Sequence, residues 1–359
     1  MSILKVALSI LQTFRGSPEP RIYVVNEKLV VHGHTVCCIV DMPGQADCAF
    51  SRSTIREAVK IDAKSITINA DPMMLNGVRE PHPSVRSYER KIAEEWASYL
   101  DGRDVGRFSV SLSALKAVSA ALPAQNQSIS ILDGVLVEPI KHTVAASNGH
   151  MMLIGNSDSA TPLSDDWGTS DAPRQIIIPS AGIALMQQLD VAEFSVRSYS
   201  VDVGGLPIDD QVLVGRFDGG HIFIRPLLGE YPDYAQLIRG VGEDVGIAVK
   251  GYVSTVIPCL HGDYLRHARA VGDRSSPALV IYPDGSIKSD SPAVLFDAKE
   301  SEFHVYEGVQ PEPCRVDAKY LGIAVRALGG KASWWHISPT DVWHCQRKNI
   351  TALIMPRRP

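Results

Sequence analysis

Few residues in this chain have the type and spacing that bond-making chemistry needs. His32-Gly33-His34 places two imidazoles at alternate positions. A metal site would need further ligands beside them, and none completes a set nearby, so the pair reads as two positions on one strand face. Asp209-Asp210 and Ser164-Asp165-Asp166 are acidic neighbours of the kind used in acid–base catalysis. Their polar surroundings predict solvated loop residues instead. His150 follows Gly149 and has the chemistry of a general base, yet no nucleophile stands beside it. Patterns that cradle phosphates, hold catalytic zinc or present a nucleophilic serine are absent from the sequence. The expectation is a protein that is not an enzyme, with no cofactor and no metal. A hydrolase built on His150 or on Asp209-Asp210 is the weaker alternative.

The elements around His150 carry a different signal. Asn148-Gly149 lies between the apolar runs Val144-Ala145-Ala146 and Met151-Met152-Leu153. Asn-Gly tolerates positive φ and predicts a hairpin turn there. Two distant segments attract notice beside it: Tyr231-Pro232-Asp233-Tyr234, and the run Leu353 to Pro359.

Composition sets the bounds. The chain has 359 residues, 45% hydrophobic and 21% charged, enough for two or three globular cores. A net charge of -5 argues against a uniformly basic coat, but leaves room for a local basic patch. The six cysteines form no Cys-x-x-Cys pair and read as free thiols in a reducing compartment. No apolar run approaches the roughly 18 residues that span a bilayer. The start of the chain lacks the marks of a signal peptide, so a soluble cytoplasmic protein is expected.

A pattern of helix, strands, helix, strands occurs three times. In the first copy, helices are predicted near Ile3–Thr13 and Ser53–Lys60, with strands at 22–25, 29–31, 36–40 and 65–70. Asn26-Glu27 supplies a turn. The second copy has helices near Leu112–Leu122 and Ser180–Leu189. Its strands are expected at 129–132, 135–140, 143–146, 151–154, 176–179, 194–199, 212–217 and 221–225. The third has helices near Leu260–Val271 and Asp317–Leu328, the latter capped by Asp317. Its strands are expected at 278–282, 286–289, 334–337 and 351–355. Asn156–Arg174, rich in Asp, Ser and Pro, reads as an exposed connector. Val85–Tyr88 reads as an edge strand. The fold class is therefore α+β, with three similar units at 1–104, 105–241 and 242–359.

Six motifs, in order, resemble the bacterial DNA polymerase III beta subunit, the sliding clamp. Ala145–Leu153 is similar to that family's "ATDGHRLA" hairpin, and Leu132-Asp133-Gly134-Val135 to the "LNG" or "LDG" run before it. Ile177-Ile178-Pro179 looks like the "VP" entry to a helix. Gly229–Ile238 resembles "GRFPDYRRVLP", Val316–Leu321 resembles "FNVSYLLD", and Ala352–Pro356 resembles "YVVMP". The matches cover roughly residues 106–359. The first hundred residues match in layout only, with Glu95–Leu100 as a worn form of the Phe-Pro-Asp-Tyr element.

The resemblance implies three clamp-type domains, each with two helices packed on antiparallel sheets. Two chains would join head to tail in a six-domain ring around duplex DNA, held without sequence preference. Further partners would be the DNA polymerase catalytic subunit and a clamp loader. The DNA-facing residues by position would be Lys5, Arg15, Arg52, Arg56, Lys60, Lys116, Arg266, Arg269, Lys319 and Arg326. Ser180–Leu189 carries no basic residue, which weakens the DNA contact of the second domain. Val85, Tyr88, Ala270 and Val271 would meet at the homodimer join. A clamp relative that binds partners without closing a ring is the alternative.

Partner peptides of the family insert into a pocket. Carried over by position, its walls would be Leu132, Ser147, Gly149, His150, Met151, Met152, Pro232, Gln236, Leu237, Leu353, Met355 and Pro356. Departures fall there too. Met151 and Gln236 stand where the family has arginines, and Arg357-Arg358-Pro359 replaces a terminal Met-Arg-Leu. A retained pocket with altered peptide preference follows, favouring a more acidic ligand near the tail.

Overall fold

The computed structural model describes residues 21–43, 47–50, 73–75, 78–80, 85, 87–123, 130–156, 158–165, 167, 171–203, 206–239, 278–281, 286–289, 297–299, 314–328, 334–335 and 342–357. They form two compact units. One takes its described residues from Met1–Leu112, Val137–Lys141 and Ala160–Leu228; the other takes them from Ser113–Leu136, His142–Ser159 and Gly229–Pro359. The architecture is α+β.

The first unit is built on a nine-stranded sheet. Its strands run in the order Ala160–Pro162, Arg103–Val110, Glu193–Val203, Leu206–Phe217, Gly220–Ile224, Val36–Asp41, Lys28–His32, Arg21–Val25 and Cys48–Phe50. All neighbours are antiparallel. Asn26 and Glu27 form the turn between the last two long strands with φ of 50° and 59°. Both central residues in the left-handed region is the geometry whose twist suits a two-residue hairpin.

Early and late segments of this sheet meet where Gly220–Ile224 pairs with Val36–Asp41. Gly220 makes that join possible. A Cβ there would lie 2.3 Å from the Ile39 carbonyl oxygen, so only glycine lets the strands approach. The sheet thus runs across the boundary at residue 104 drawn from the sequence.

One helix, Ser87–Ser98, covers part of this sheet. Glu89, Ala93 and Trp96 are buried at helical spacing, and Tyr99 follows just beyond. Ala93, Trp96 and Tyr99 pack with Tyr23, Val25, Val30, Cys37, Ile39, Val212, Val214 and Phe223. The edge strand expected at Val85–Tyr88 is therefore absent. Tyr88 lies in the first turn of a helix, because its segment continues into an amphipathic run, and Val85 packs against this core. Two further expectations change. Asp209 and Asp210 lie inside the Leu206–Phe217 strand, where the long hairpin with Glu193–Val203 carries them, and not in a loop. The expected connector contributes the Ala160–Pro162 edge strand and a buried Trp167 set edge-on to Phe108 at 5.7 Å.

In the second unit the strands Thr143–Ser147, Met151–Gly155, Ile350–Ile354, Trp343–Arg347 and Trp334–Trp335 pair in that order, all antiparallel. A four-stranded sheet orders Asp297–Lys299, Ser286–Ser289, Ala278–Ile281 and Cys314–Asp317. The helix Ala318–Leu328 buries Leu321, Ala324, Val325 and Leu328, a single apolar stripe. Its first turn is capped as expected: the Lys319 amide donates to Asp317 Oδ1 at 2.8 Å. Ser130–Asp133 is a 3₁₀ turn and not the expected strand at 129–132; the regular strand begins at Gly134. The helices expected at 3–13, 53–60 and 260–271 and the strand at 65–70 lie outside the described residues.

Candidate functional site

The Asn-Gly turn is held by a small set of bonds. The Asn148 amide donates to the Met151 carbonyl at 3.2 Å. Asn148 Oδ1 accepts from the amides of His150 and Met151, both at 3.0 Å. Ser147 Oγ donates to the Met151 carbonyl at 2.9 Å and accepts from the Gly149 amide at 3.1 Å. Short side chains that bond to their own backbone make such turns. Gly149 alone is left-handed here, at φ 84°, and a Cβ on it would meet nothing. Its requirement is conformational, not steric.

Two other segments converge on this hairpin. Met151–Gly155 pairs with Ile350–Ile354, and the chain continues so that the Met355 amide donates to the His150 carbonyl at 2.9 Å. The tail is pinned again where the Arg357 amide donates to the Arg315 carbonyl at 2.9 Å. From the other side comes the helix Tyr234–Arg239. Asp233 Oδ1 accepts from the Ala235 amide at 3.0 Å and caps it. The Tyr234 hydroxyl lies 3.1 Å from Thr143 Oγ1, tying the helix to the hairpin's first strand.

Between them runs a groove lined by Ser147, Gly149, His150, Met151, Met152, Leu237, Val342, Leu353 and Met355. Ser147, Met151, Met152 and Leu353 form a buried floor, and Gly149, His150 and Met355 stand exposed at the rim. The lining is apolar apart from the serine and the histidine. Its cavity volume is about 20 Å³, room for roughly one water molecule. A bound side chain must therefore displace rim residues, and flexible Met355 is suited to moving.

Eight of the twelve residues expected at a pocket line this groove. Leu132 is buried elsewhere in the unit, Pro232 and Gln236 are exposed off the lining, and Pro356 is half-buried behind Met355. Val342 lines the groove without having been expected; nothing in its sequence context marks it. Tyr320 was likewise missed. Its ring stacks on His150 at 5.4 Å and 17°, and Lys319 Nζ lies 5.6 Å from the same ring. Burial pushes the Tyr320 phenol up, Asp317 adds to this, and the Arg357 guanidinium opposes it. Tyr320 is not part of the lining but backs the rim residue His150.

Of the expected DNA-facing residues, Lys116, Lys319 and Arg326 are exposed on their helices. Lys5, Arg15, Arg52, Arg56, Lys60, Arg266 and Arg269, and the expected join residues Ala270 and Val271, lie outside the described residues. Cys37, Cys38, Cys48 and Cys345 are buried free thiols. Burial pushes Cys48 and Cys345 up to about 12, which leaves them as inert thiols. Among the described residues no three His, Cys, Asp or Glu side chains group as a metal site, and no helix is long and apolar enough to cross a membrane.

A putative DNA polymerase III beta subunit from Eubacterium rectale superposes with a TM-score of 0.70 at 13% identity, over 99% of this chain and 97% of that one. The beta subunit from Thermotoga maritima gives the same values. This chain has the sliding-clamp fold. A Helicobacter pylori beta clamp bound to a DNA ligase peptide also matches, at 15% identity and a TM-score of 0.64, over 99% and 98% of the two chains. No family model and no curated protein matches the sequence.

Proposed function

We propose that this protein is a divergent sliding clamp: a non-catalytic processivity factor that encircles duplex DNA and tethers a polymerase and other partners. The observation that carries the reading is the convergence of hairpin, Tyr234–Arg239 helix and tail on one apolar groove within a clamp fold. Apolar walls with few polar groups suit a peptide anchor. The resemblance to a clamp with a bound ligase peptide supports the same use.

In this reading the chain has three clamp-type domains, 1–104, 105–241 and 242–359, the first two sharing the nine-stranded sheet. Two copies join head to tail, since only a rotation that closes gives a ring. DNA is held by diffuse positive charge on phosphates, which binds without reading bases and permits sliding. Exposed Lys116, Lys319 and Arg326 supply part of that charge. Cytoplasmic replication is its setting.

The test is retention on circular against linearised DNA after loading by a clamp loader. Retention on the circle and loss from the linear form is expected. Equal loss from both, with partner peptides still bound, would instead favour a clamp relative that no longer closes. The basic-poor Ser180–Leu189 helix is the feature that keeps this second reading in view.

A further inference from the structure

The first unit holds a second cleft, far larger than the hairpin groove, with a cavity volume of about 400 Å³. That lies within the usual range for ligand sites. Its floor is a face of the nine-stranded sheet beyond the Ser87–Ser98 helix, where no described helix packs. The pairings Arg107 with Ser195, Ser195 with Val214 and Arg216 with His221 set these side chains in rows on one face. Leu100, just past the helix, and Leu163 form the sides. Leu163 is 49% exposed although its amide is fixed to the Arg107 carbonyl at 2.7 Å.

Charge is what sets the cleft apart. Arg107, Arg197 and Arg216 line it together with Glu193 and His221. Asp104 is shared, taking Arg107 Nε at 3.1 Å and Arg197 Nη2 at 3.5 Å. Arg197 spends its remaining donors within the fold, on the Gly102 carbonyl at 2.9 Å and Ser195 Oγ at 3.4 Å. The Arg216 side chain has no ion pair or hydrogen bond among the described residues; burial first, and then the Arg216 charge, lower the His221 pKa from its ordinary value. Three guanidiniums therefore face two carboxylates, Asp104 and Glu193. One positive charge is left over, presented by an exposed planar fork that matches a carboxylate.

We propose that this cleft binds an acidic segment of a partner protein, one that sets an apolar side chain beside its carboxylate. The carboxylate pairs with Arg216 and the unused nitrogens of Arg107, and the apolar group covers Leu163 and Leu100. A phosphate site is the poorer fit. The guanidiniums come from three separate strands, no run of backbone amides converges on a point, and Glu193 repels a dianion. The cleft lies in the first unit and the hairpin groove in the second, and they share no lining residue.

The test uses the full chain and a fluorescein-labelled peptide, acetyl-Asp-Glu-Leu-Glu-Glu-Leu-Asp-Glu, titrated by anisotropy at about 0.15 M salt. Arg216→Glu is expected to weaken binding by at least about tenfold, and Leu163→Ser by severalfold. Leu237→Asp, which blocks the hairpin groove, is expected to leave it unchanged. Both Arg216 and Leu163 are exposed, so these variants keep the fold. Unchanged affinity in Arg216→Glu overturns the proposal. So does equal binding of a peptide with both leucines replaced by serine, or displacement of the probe by millimolar inorganic phosphate. Loss in Leu237→Asp without loss in Arg216→Glu places the probe in the other groove and overturns it as well.

Discussion

The Met355 amide donates to the His150 carbonyl at 2.9 Å, joining the chain's closing residues to a turn two hundred positions earlier. This bond fixes the tail's backbone and leaves its side chain at the rim, 37% exposed. Backbone anchored and side chain free is the arrangement of a wall that gives way without unfolding. Leu237 opposes it from the capped helix. Leu237→Asp would place an unpaired carboxylate in an apolar groove. Binding of a labelled peptide carrying two adjacent apolar side chains should fall by more than about tenfold, with the melting temperature nearly unchanged. Anisotropy and thermal unfolding on the same sample check both.

Arg357 follows Met355 by two residues in the pinned tail, its amide donating to the Arg315 carbonyl at 2.9 Å. Arg357→Ala should weaken apolar peptides that carry a flanking acid and leave neutral ones nearly unaffected. The effect should shrink as salt is raised, because an exposed pair is screened. Equal affinities of the variant and the parent chain for the acidic peptide would show that the tail charge plays no part in recognition.

Gly149 sits at φ 84° with open space where a Cβ would go. Gly149→Ala therefore meets no clash and still costs about 1 to 2 kcal/mol, because an L-residue is strained there. Urea unfolding should show the lowered midpoint. Gly149→Asn should recover much of the loss, since asparagine tolerates the left-handed region better than alanine.

The parts legible in the sequence were those set by short-range rules. Ser180–Leu189 begins and ends where its apolar spacing and Pro179 put it, and Asn26-Glu27 and Asn148-Gly149 are turns for local reasons. Tyr320, Val342 and the Gly220 join depend on which strand lies beside which, and no periodicity carries that. The Ser87–Ser98 helix is not among the helices expected from the sequence: Val85–Tyr88 taken alone looks extended, and the stripe of Glu89, Ala93 and Trp96 that fixes the helix comes later. The groove was visible only through the likeness of three separated motifs. The stack of Tyr320 on His150 was not, since stacking leaves no mark on sequence spacing.

His344 lies in the strand beside the tail, paired with Leu353. Burial pushes its imidazole down to about 4 from an ordinary 6.5. The folded chain thus keeps this histidine neutral where the unfolded chain takes up a proton. Its contribution is fully present above about 6.5, declines as pH falls toward 4, and declines no further below that. His344→Leu should flatten this part of the stability profile. Urea midpoints at several pH values check it; parallel profiles for the two chains would show that another group sets the slope.

Arg225 ties the Ser87–Ser98 helix to the sheet by several contacts at once. Its guanidinium lies 4.4 Å from the Trp96 ring centroid, donates to the Tyr99 hydroxyl at 3.0 Å, and pairs with Glu95 and with Asp210. Tyr99 in turn donates to Asp210 Oδ2 at 2.5 Å. Burial and this carboxylate push the Tyr99 phenol up to about 12, so it remains a donor throughout the physiological range. Removing Arg225 leaves Asp210 and Glu95 without their cation and uncovers Trp96. Arg225→Ala should destabilise the first unit by about 2 kcal/mol. Arg225→Lys should recover only a minor part, because a point charge cannot lie flat on the indole and reach three oxygens together. If lysine restored full stability, the planar stack would be incidental and simple charge balance would suffice. Amide hydrogen exchange in the Ser87–Ser98 helix reports on the first unit and separates this loss from changes in the groove.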